Sequence, residues 1–569
     1  MAALAMVQVH GIADVLARVL ASRGVLPDDA QPYLAPRLRD LMPDPSTLQD
    51  MDKAANRIAD AIERGEKVAI FGDYDVDGAC SAALLATFLQ RCGTPFAVHI
   101  PDRIIDGYGP NVAAIKALKE AGCQCLVTVD CGVASHEPLA EAQRLGLDVV
   151  VLDHHQAPDV LPQAVAVVDP NRQDDLSGLG HLCAAGVVFM ALVAVQRILR
   201  QRGCGHGGTP SSLLGDLDLV ALATVADVVP LTGLNRAFVQ QGLTVMRQRS
   251  RVGLTALLDS ARLSGPPEAW HLGYLLGPRI NAGGRIGDSA LGARLLMTTD
   301  AAEAARIAAE LDTLNQERQA VEMVAVEEAT ALAERLLDES NPSVLVLASE
   351  DWHPGVAGLI ASRLKERFAR PAFAIALNAD DIGTGSGRSI PGVDLGRAVR
   401  QAVTDGYALK GGGHAMAAGI TLEKSRLDAF SDFMNARLHD EVSDTDAYAP
   451  LEIDAALTAA GATPELVASI AGAGPFGSGN PEPVFAFGSH RLTEASTVGA
   501  GHVRIRIRAG DGSSLGGIAF RAADQPLGQA LLAMRGETVH VAGTLALDTW
   551  GGRTQVSLRV SDIAKPQGL

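Results

Sequence analysis

From residue 67 onward the chain alternates short β-branched runs with stretches of helical period. The runs are "KVAIF" (67–71), "FAVHI" (96–100), "CLVTVD" (125–130), "DVVVLD" (148–153) and "AVAVVD" (164–169), and between them lie segments such as "GPNVAAIKALKEAG" (109–122). Continuous apolar runs of strand length separated by helices predict a parallel, doubly wound α/β sheet. Upstream, residues 1–50 are Pro-rich and weakly helical, and Asp50 stands where it can cap the helix "MDKAANRIADAIERG".

Beyond the sheet the period changes. Residues 180–297 read as mostly helical and contain "LATVADVVPL", and 298–340 form one Ala- and Glu-rich stretch almost free of breakers, which predicts a long connecting helix. A second α/β unit follows in "SVLVLAS", "VAGLIASRLKERFA" and "PAFAIAL", closing on the glycine-rich segments "GTGSGRS" and "GGGHAMAAG". The last stretch, with "HVRIRIRAG", "SLGGIAF", "ETVHVAGTL" and "RTQVSLRVSDI", alternates with period 2 between Gly-rich turns and suits a small β-barrel. The predicted boundaries are therefore 1–50, 51–235, 236–297, 298–340, 341–447 and 448–569.

A chain of 569 residues exceeds one ordinary core, and its 47% apolar and 20% charged content is that of a globular protein. No apolar run is long enough to span a bilayer, and "MAALAMVQVH" lacks the basic start and apolar core of a signal peptide, so a cytoplasmic, membrane-free protein is expected. Seven cysteines without a C-x-x-C pair do not form a disulfide framework; Cys123, Cys125, Cys131 and Cys183 lie in or beside apolar stretches and read as core. The net charge of −18 argues against a protein that coats nucleic acid non-specifically. Residues 491–569 nevertheless carry nine Lys and Arg against six Asp and Glu, a basic module on an acidic body.

Chemistry concentrates at the strand ends. "GDYDVDG" (72–78) puts Asp73, Asp75 and Asp77 at alternate positions, on one face if the segment is extended. Either a cation sits among them, or the segment is an Asx-rich turn that caps the next helix. Asp130 and Asp153 end two further runs, and in open parallel sheets ligands bind beyond the carboxyl ends of the strands, so these acids should share a crevice. "VLDHHQAP" adds His154 and His155. Imidazole and carboxylate without thiolates suit Mn²⁺ or Mg²⁺ rather than structural zinc. In the tail, "RIRIR" places Arg504, Arg506 and Arg508 on one strand face, a track for a nucleic acid backbone or simply a solvated surface.

In this order, "GDYDVDG", "VTVDCG", "LDHH" and "ATVADVVPL" resemble the four motifs of the DHH phosphoesterase superfamily, and "DWHPGVAGLIASRL", "GSGRS" and "GGGHAMAAG" resemble its companion DHHA1 domain. "PDRIIDGYGP", "GPRINAGGRIGDS" and "PFGSGNPEPVF" are similar to the bacterial single-strand-specific DNA exonucleases of that superfamily, from about residue 45 to the end. The resemblance implies a DHH catalytic domain (51–235) with a helical extension, a DHHA1 substrate-binding domain (341–447) and an OB-like nucleic-acid-binding domain (448–569). It implies 5′→3′ hydrolysis of single-stranded DNA to 5′-mononucleotides in repair and recombination, using two divalent ions, Mn²⁺ or Mg²⁺. Asp75, Asp77, Asp130, His154 and Asp227 would hold the ions, with Asp130 bridging, and Asp73, Asp153 and His155 would complete the catalytic set. His155 would face the scissile phosphate or orient a ligand. Ser386, Arg388 and His414, across a cleft on the "GSGRS" loop and "GGGH", would meet the backbone, and Arg103 and Arg279 would approach a 5′ phosphate. A monomer acting with single-strand-binding protein and a repair helicase is the family expectation.

Three relatives compete with that reading. Oligonucleotide or cyclic dinucleotide phosphodiesterases are built from DHH and DHHA1 alone, and the extra helical segment and barrel tail argue against them. Manganese pyrophosphatases resemble neither "GGGHAMAAG" nor the tail. A non-catalytic DHH scaffold of a replication assembly would have lost metal-binding acids, and every one of those positions is filled here.

Overall fold

The computed structural model describes residues 1–103, 106–203, 212–444, 450–550 and 553–566. Its first sheet has the order β2-β1-β3-β4-β5 and is parallel throughout: β1 (Val68–Gly72), β2 (Phe96–His99), β3 (Cys125–Val129), β4 (Asp148–Leu152) and β5 (Ala166–Val168). Helices cover both faces, which is why β1 and β3 are buried at every position. The helix Ala184–Gln201 is the one described helix long and apolar enough to cross a membrane, but 72% of it is buried against this core.

The helix Met51–Arg64 begins where the sequence places it, but Asp50 does not cap it. Asp50 has a positive φ of 61° and its carboxylate pairs with Lys53 and Arg172, tying the helix start to the loop after β5. A partner more than a hundred residues away competes successfully for the local cap.

The connecting helix runs from Ala301 to Glu339 and leads into a mixed sheet of order β6-β7-β8-β10-β9. Its members are β6 (Leu345–Ser349), β7 (Ala372–Leu377), β8 (Ile382–Arg388), β9 (Lys410–His414) and β10 (Ala417–Glu423). The "GSGRS" segment expected as a loop is therefore strand, as is "KGGGH". Gly383, Gly385 and Gly387 point inward, where a Cβ would lie 2.7 Å from Ile375 at the first two and 2.5 Å from Phe373 at the third. These glycines make room for large neighbours on β7; they do not mark a turn.

The tail closes into a barrel through β12 (Phe485–Val498), β13 (His502–Arg508), β14 (Ser514–Ala519), β16 (Arg553–Ala564) and β15 (Thr538–Trp550), with β11 (Ala455–Leu457) added parallel to β12. The N-terminal segment packs on this end of the molecule: Met6, Ile12, Leu16 and Leu20 form a cluster with Ala473, and Val19 enters the barrel core. Arg236, 2% exposed, fastens three segments by donating to the carbonyl oxygens of Tyr33, Gly472 and Gly474 while lying over the Tyr33 ring.

Candidate metal centre and substrate cleft

At the carboxyl end of β1 the chain turns directly into the helix Val76–Arg91, so "GDYDVDG" is not extended. Asp75 is the N-cap and accepts from Gly78 N at 3.0 Å, while Asp77 sits in the first turn of the helix. The turn is tight enough that a Cβ at Gly78 would lie 2.3 Å from Asp73 O. Capping and convergence thus coexist: one strand-to-helix turn gathers all three acids.

Asp77 is fully buried and accepts from Ala184 N (2.7 Å) and Ala185 N (2.8 Å) at the start of a second helix, whose dipole favours a negative charge. Asp130 follows β3 with φ 60°, is 2% exposed, and its Oδ1 has no hydrogen-bond partner. One oxygen of Asp73 is similarly orphaned. His154 Nδ1 lies 3.1 Å from Leu182 O. With that nitrogen donating, Nε2 turns its lone pair toward Asp130 (3.3 Å), Asp77 (3.7 Å) and Asp227 (3.7 Å).

Two donor sets result, Asp77–His154–Asp227 and Asp73–Asp75–Asp130, and Asp130 also meets His154 and His155; within each set the ligand atoms lie within 4.8 Å of one another. Burial, reinforced by the neighbouring carboxylates, pushes Asp73 and Asp130 well above the usual range and Asp227 up to about 9. A lone pair and buried carboxylate oxygens facing one another are mutually repulsive unless cations or protons lie between them. The donor chemistry therefore fits two divalent ions of the Mn²⁺ or Mg²⁺ kind.

Asp153 stands apart from that set. It is fully buried and accepts from Val133 N (3.0 Å), His154 N (2.8 Å), His155 N (3.2 Å) and His155 Nδ1 (2.8 Å). Its oxygens hold the two-histidine loop and do not point into the cluster. Burial opposes ionisation of both partners, yet their mutual hydrogen bond and charge win: Asp153 falls to about 2 and His155 rises to about 9. Asn171 adds a second brace by donating to His154 O at 2.6 Å.

Across from the acids a cavity of about 370 Å³ lies between Tyr74, Arg103 and Tyr108 of the first domain and Gly355, Ser386 and Gly419 of the second. Arg388 donates to Ser386 Oγ at 2.8 Å, and Arg103 lies 5.1 Å over the Tyr74 ring. His414 ends β9; burial, and then the charges of His155, Arg400 and His154, hold its imidazole below the ordinary value.

Arg279 has different partners. It pairs with Asp312 at 2.9 Å and donates to Leu275 O, which anchors the helix Gly277–Ile286 to the connecting helix. The arginine that joins the cleft group is Arg285 of the same "GPRINAGGR" motif, held by Gly355 O and pushed down to about 10 by burial and by Arg103, Arg318 and Arg388. The motif was legible; which of its arginines faces the cleft depends on helix rotation. On the barrel, Arg504, Arg506 and Arg508 are exposed along β13 above buried Val503, Ile505 and Ile507, and Arg506 lies 3.4 Å from Glu494.

Residues 67–224 match the DHH family, N-terminal domain, residues 341–440 the DHHA1 domain, and residues 453–562 the RecJ OB domain. The chain is 37% identical to the single-stranded-DNA-specific exonuclease RecJ of Salmonella typhimurium, covering 89% of each. It is 39% identical to that of Dickeya dadantii over the same shares, and 34% identical to that of Thermus thermophilus over 92% of this chain and 72% of the other. A crystal structure of Thermus thermophilus RecJ in complex with Mn²⁺ superposes with a TM-score of 0.82 at 29% identity, covering 100% of this chain and 78% of that one. A barrel of this type is what a two-domain DHH phosphodiesterase would lack, and with it present the chain belongs to the RecJ family of single-stranded-DNA-specific exonucleases.

Proposed function

We propose that this protein is a metal-dependent exonuclease that degrades single-stranded DNA from the 5′ end, releasing 5′-mononucleotides. The observation that carries the reading is the juxtaposition of two mostly buried donor sets with a cavity lined by Arg103 and Ser386, to which Arg388 and Arg285 are adjacent. Asp77, His154 and Asp227 would hold one ion and Asp73, Asp75 and Asp130 the other, with Asp130 close enough to His154 to serve both. When bound, Mn²⁺ or Mg²⁺ there supplies a nucleophile at neutral pH and neutralises charge on the phosphodiester.

The chain's own groups do the rest. His155, kept cationic by Asp153, presents its free ring nitrogen to the scissile phosphate and can pass a proton to the departing 3′ oxygen. Tyr108 flanks the same edge of that imidazole: its hydroxyl donates to Asp130 O and lies 3.2 Å from His155 Nδ1, the nitrogen that Asp153 holds. Ser386, Arg388, Arg103 and Arg285 receive the terminal 5′ phosphate, whose extra charge distinguishes it from an internal one. Fixing that end sets the scissile bond one nucleotide away, which gives the 5′→3′ direction. His414 meets the backbone across the cleft, and the Arg504–Arg506–Arg508 face tracks the strand as it leaves. Arg279 acts indirectly, by holding the helix that carries Arg285.

In the cell we assign the protein a monomeric, cytoplasmic role in repair and recombination, beside single-strand-binding protein and a repair helicase; family membership supports these assignments. The test is digestion of 3′-labelled single strands, blunt duplexes and 5′-tailed duplexes with Mn²⁺ and with excess EDTA. Shortening from the 5′ side, resistance of the blunt duplex and silence in EDTA are expected. Attack from 3′ ends, or equal digestion of blunt duplex, would replace this reading with a broader DHH phosphodiesterase.

A further inference from the structure

The antiparallel register of the second sheet lays three rows of residues across one cleft-facing surface. Arg388, Ala417 and His414 form the first, Ser386, Gly419 and Gly412 the second, and Thr384, Thr421 and Lys410 the third. The first two rows belong to the phosphate pocket proposed above. The third has no role in it, yet Thr384, Thr421 and Lys410 line the same cavity.

Three observations give that third row a ligand. The Lys410 side chain is exposed and makes no ion pair or hydrogen bond among the described residues, and the hydroxyls of Thr384 and Thr421 make none there either. No described residue lining the cavity is acidic, and Arg103 and Lys410 are the charged residues among the described lining, so this wall carries net positive charge. Beside Ser386, in its own row, the floor is bare: nothing lies within 4 Å of a Cβ built on Gly412 or Gly419. Rows two residues apart along a strand are separated by roughly 7 Å. That is the reach of a short polyphosphate.

We propose that Thr384, Thr421 and Lys410 form a second anion subsite, which takes the outer phosphates of a 5′-di- or triphosphorylated strand whose innermost phosphate lies at Ser386 and Arg388. The proposal rests on the terminal-phosphate reading of that pocket. Hydrolysis still occurs at the next phosphodiester: water adds to that phosphorus, the P–O3′ bond breaks, and the first nucleotide leaves with its polyphosphate intact and a free 3′ hydroxyl. The enzyme would then need no prior removal of the outer phosphates.

The test compares 5′-hydroxyl, 5′-monophosphate and 5′-triphosphate oligonucleotides of one sequence as competitors for the full-length protein, and identifies the first product by chromatography. Wild type should bind the triphosphate at least as well as the monophosphate and release a nucleoside 5′-triphosphate. Lys410→Ala should weaken the triphosphate alone by about tenfold, Lys410→Arg should restore it, and Thr384→Val with Thr421→Val should weaken it further. A triphosphate bound no better than the 5′-hydroxyl strand, while the monophosphate keeps its advantage, overturns the subsite and leaves the pocket standing. An equal loss for mono- and triphosphate in Lys410→Ala overturns it too, making Lys410 a general backbone contact. Equal binding of monophosphate and 5′-hydroxyl strands overturns the pocket itself, and the subsite with it.

Discussion

Replacing Gly358 by alanine separates stability from activity in this enzyme. Gly358 is the second residue of the helix Ala357–Phe368, and a Cβ there would lie 2.9 Å from Arg388 Nη2 and 3.2 Å from Ser386 Oγ. Helix propensity alone makes the substitution favourable, by up to about 1 kcal/mol. The guanidinium cannot simply swing away, because Nη1 is tied to Ser386 Oγ at 2.8 Å and to Gly387 O at 2.9 Å. It must shift by a few tenths of an ångström, taking both of its partners out of line with a bound terminal phosphate. Loss of one charge-assisted hydrogen bond is worth about 1.5 kcal/mol, roughly tenfold in apparent affinity. Steady-state kinetics on 5′-phosphorylated and 5′-hydroxyl single strands, together with a thermal melt, read both effects. The expected result is a Tm equal to or above wild type, a roughly tenfold rise in KM for the phosphorylated strand, and little change for the hydroxyl strand. An equal loss on both strands, or no loss on either, would refute the placement of Arg388 at the 5′ phosphate.

Asp130→Asn should abolish most cleavage, a loss of at least about a hundredfold, because the carboxylate proposed to serve both ions is removed. Without metal its melt should be no lower than wild type, since a buried like charge goes and asparagine tolerates the φ of 60° at this position. Asp153→Asn should move the alkaline limb of the pH–rate profile from near 9 toward 6.5, as His155 loses the partner that raises it. In wild type the same pair stabilises the fold over a defined window. Asp153's share is lost as pH falls through about 2, and that of His155 as pH rises from 6.5 through about 9. Urea melts at pH 7.5 and 10 should show the alkaline loss in wild type and not in Asp153→Asn. Arg236→Ala leaves the carbonyl oxygens of Tyr33, Gly472 and Gly474 without their donor, at a cost of about 3 kcal/mol net of the guanidinium's own burial. Limited proteolysis should then release the barrel and the N-terminal segment while the Mn²⁺ affinity of the acidic cluster stays unchanged.

The amino-acid order by itself determined what depends on local period. The parallel runs ending in Asp130 and Asp153, the long helix after residue 298, and the inward Val503, Ile505 and Ile507 beneath outward arginines all follow from spacing of 2 or 3.6 along the chain. Asp73, Asp75, Asp77, Asp130, His154 and His155 of the candidate centre were legible for the same reason, since they stand at or just after the ends of recognisable strands, whereas Asp227 was reached only through the resemblance of "ATVADVVPL". What only the tertiary structure decided involves partners distant in sequence. Asp50 gave up the helix cap to pair with Arg172 and Lys53, and Asp153 turned to the His155 loop and the Val133 amide, away from the cluster. Arg285, not Arg279, joined the cleft, because Asp312 on another helix claimed the latter. Gly383, Gly385 and Gly387 looked like a loop because glycine disfavours strands locally; Phe373 and Ile375, packed against them, make glycine the residue that fits. A polar or small side chain carries no record of its eventual partner: ion pairs and close packing are set by proximity in space, which local spacing along the chain does not encode.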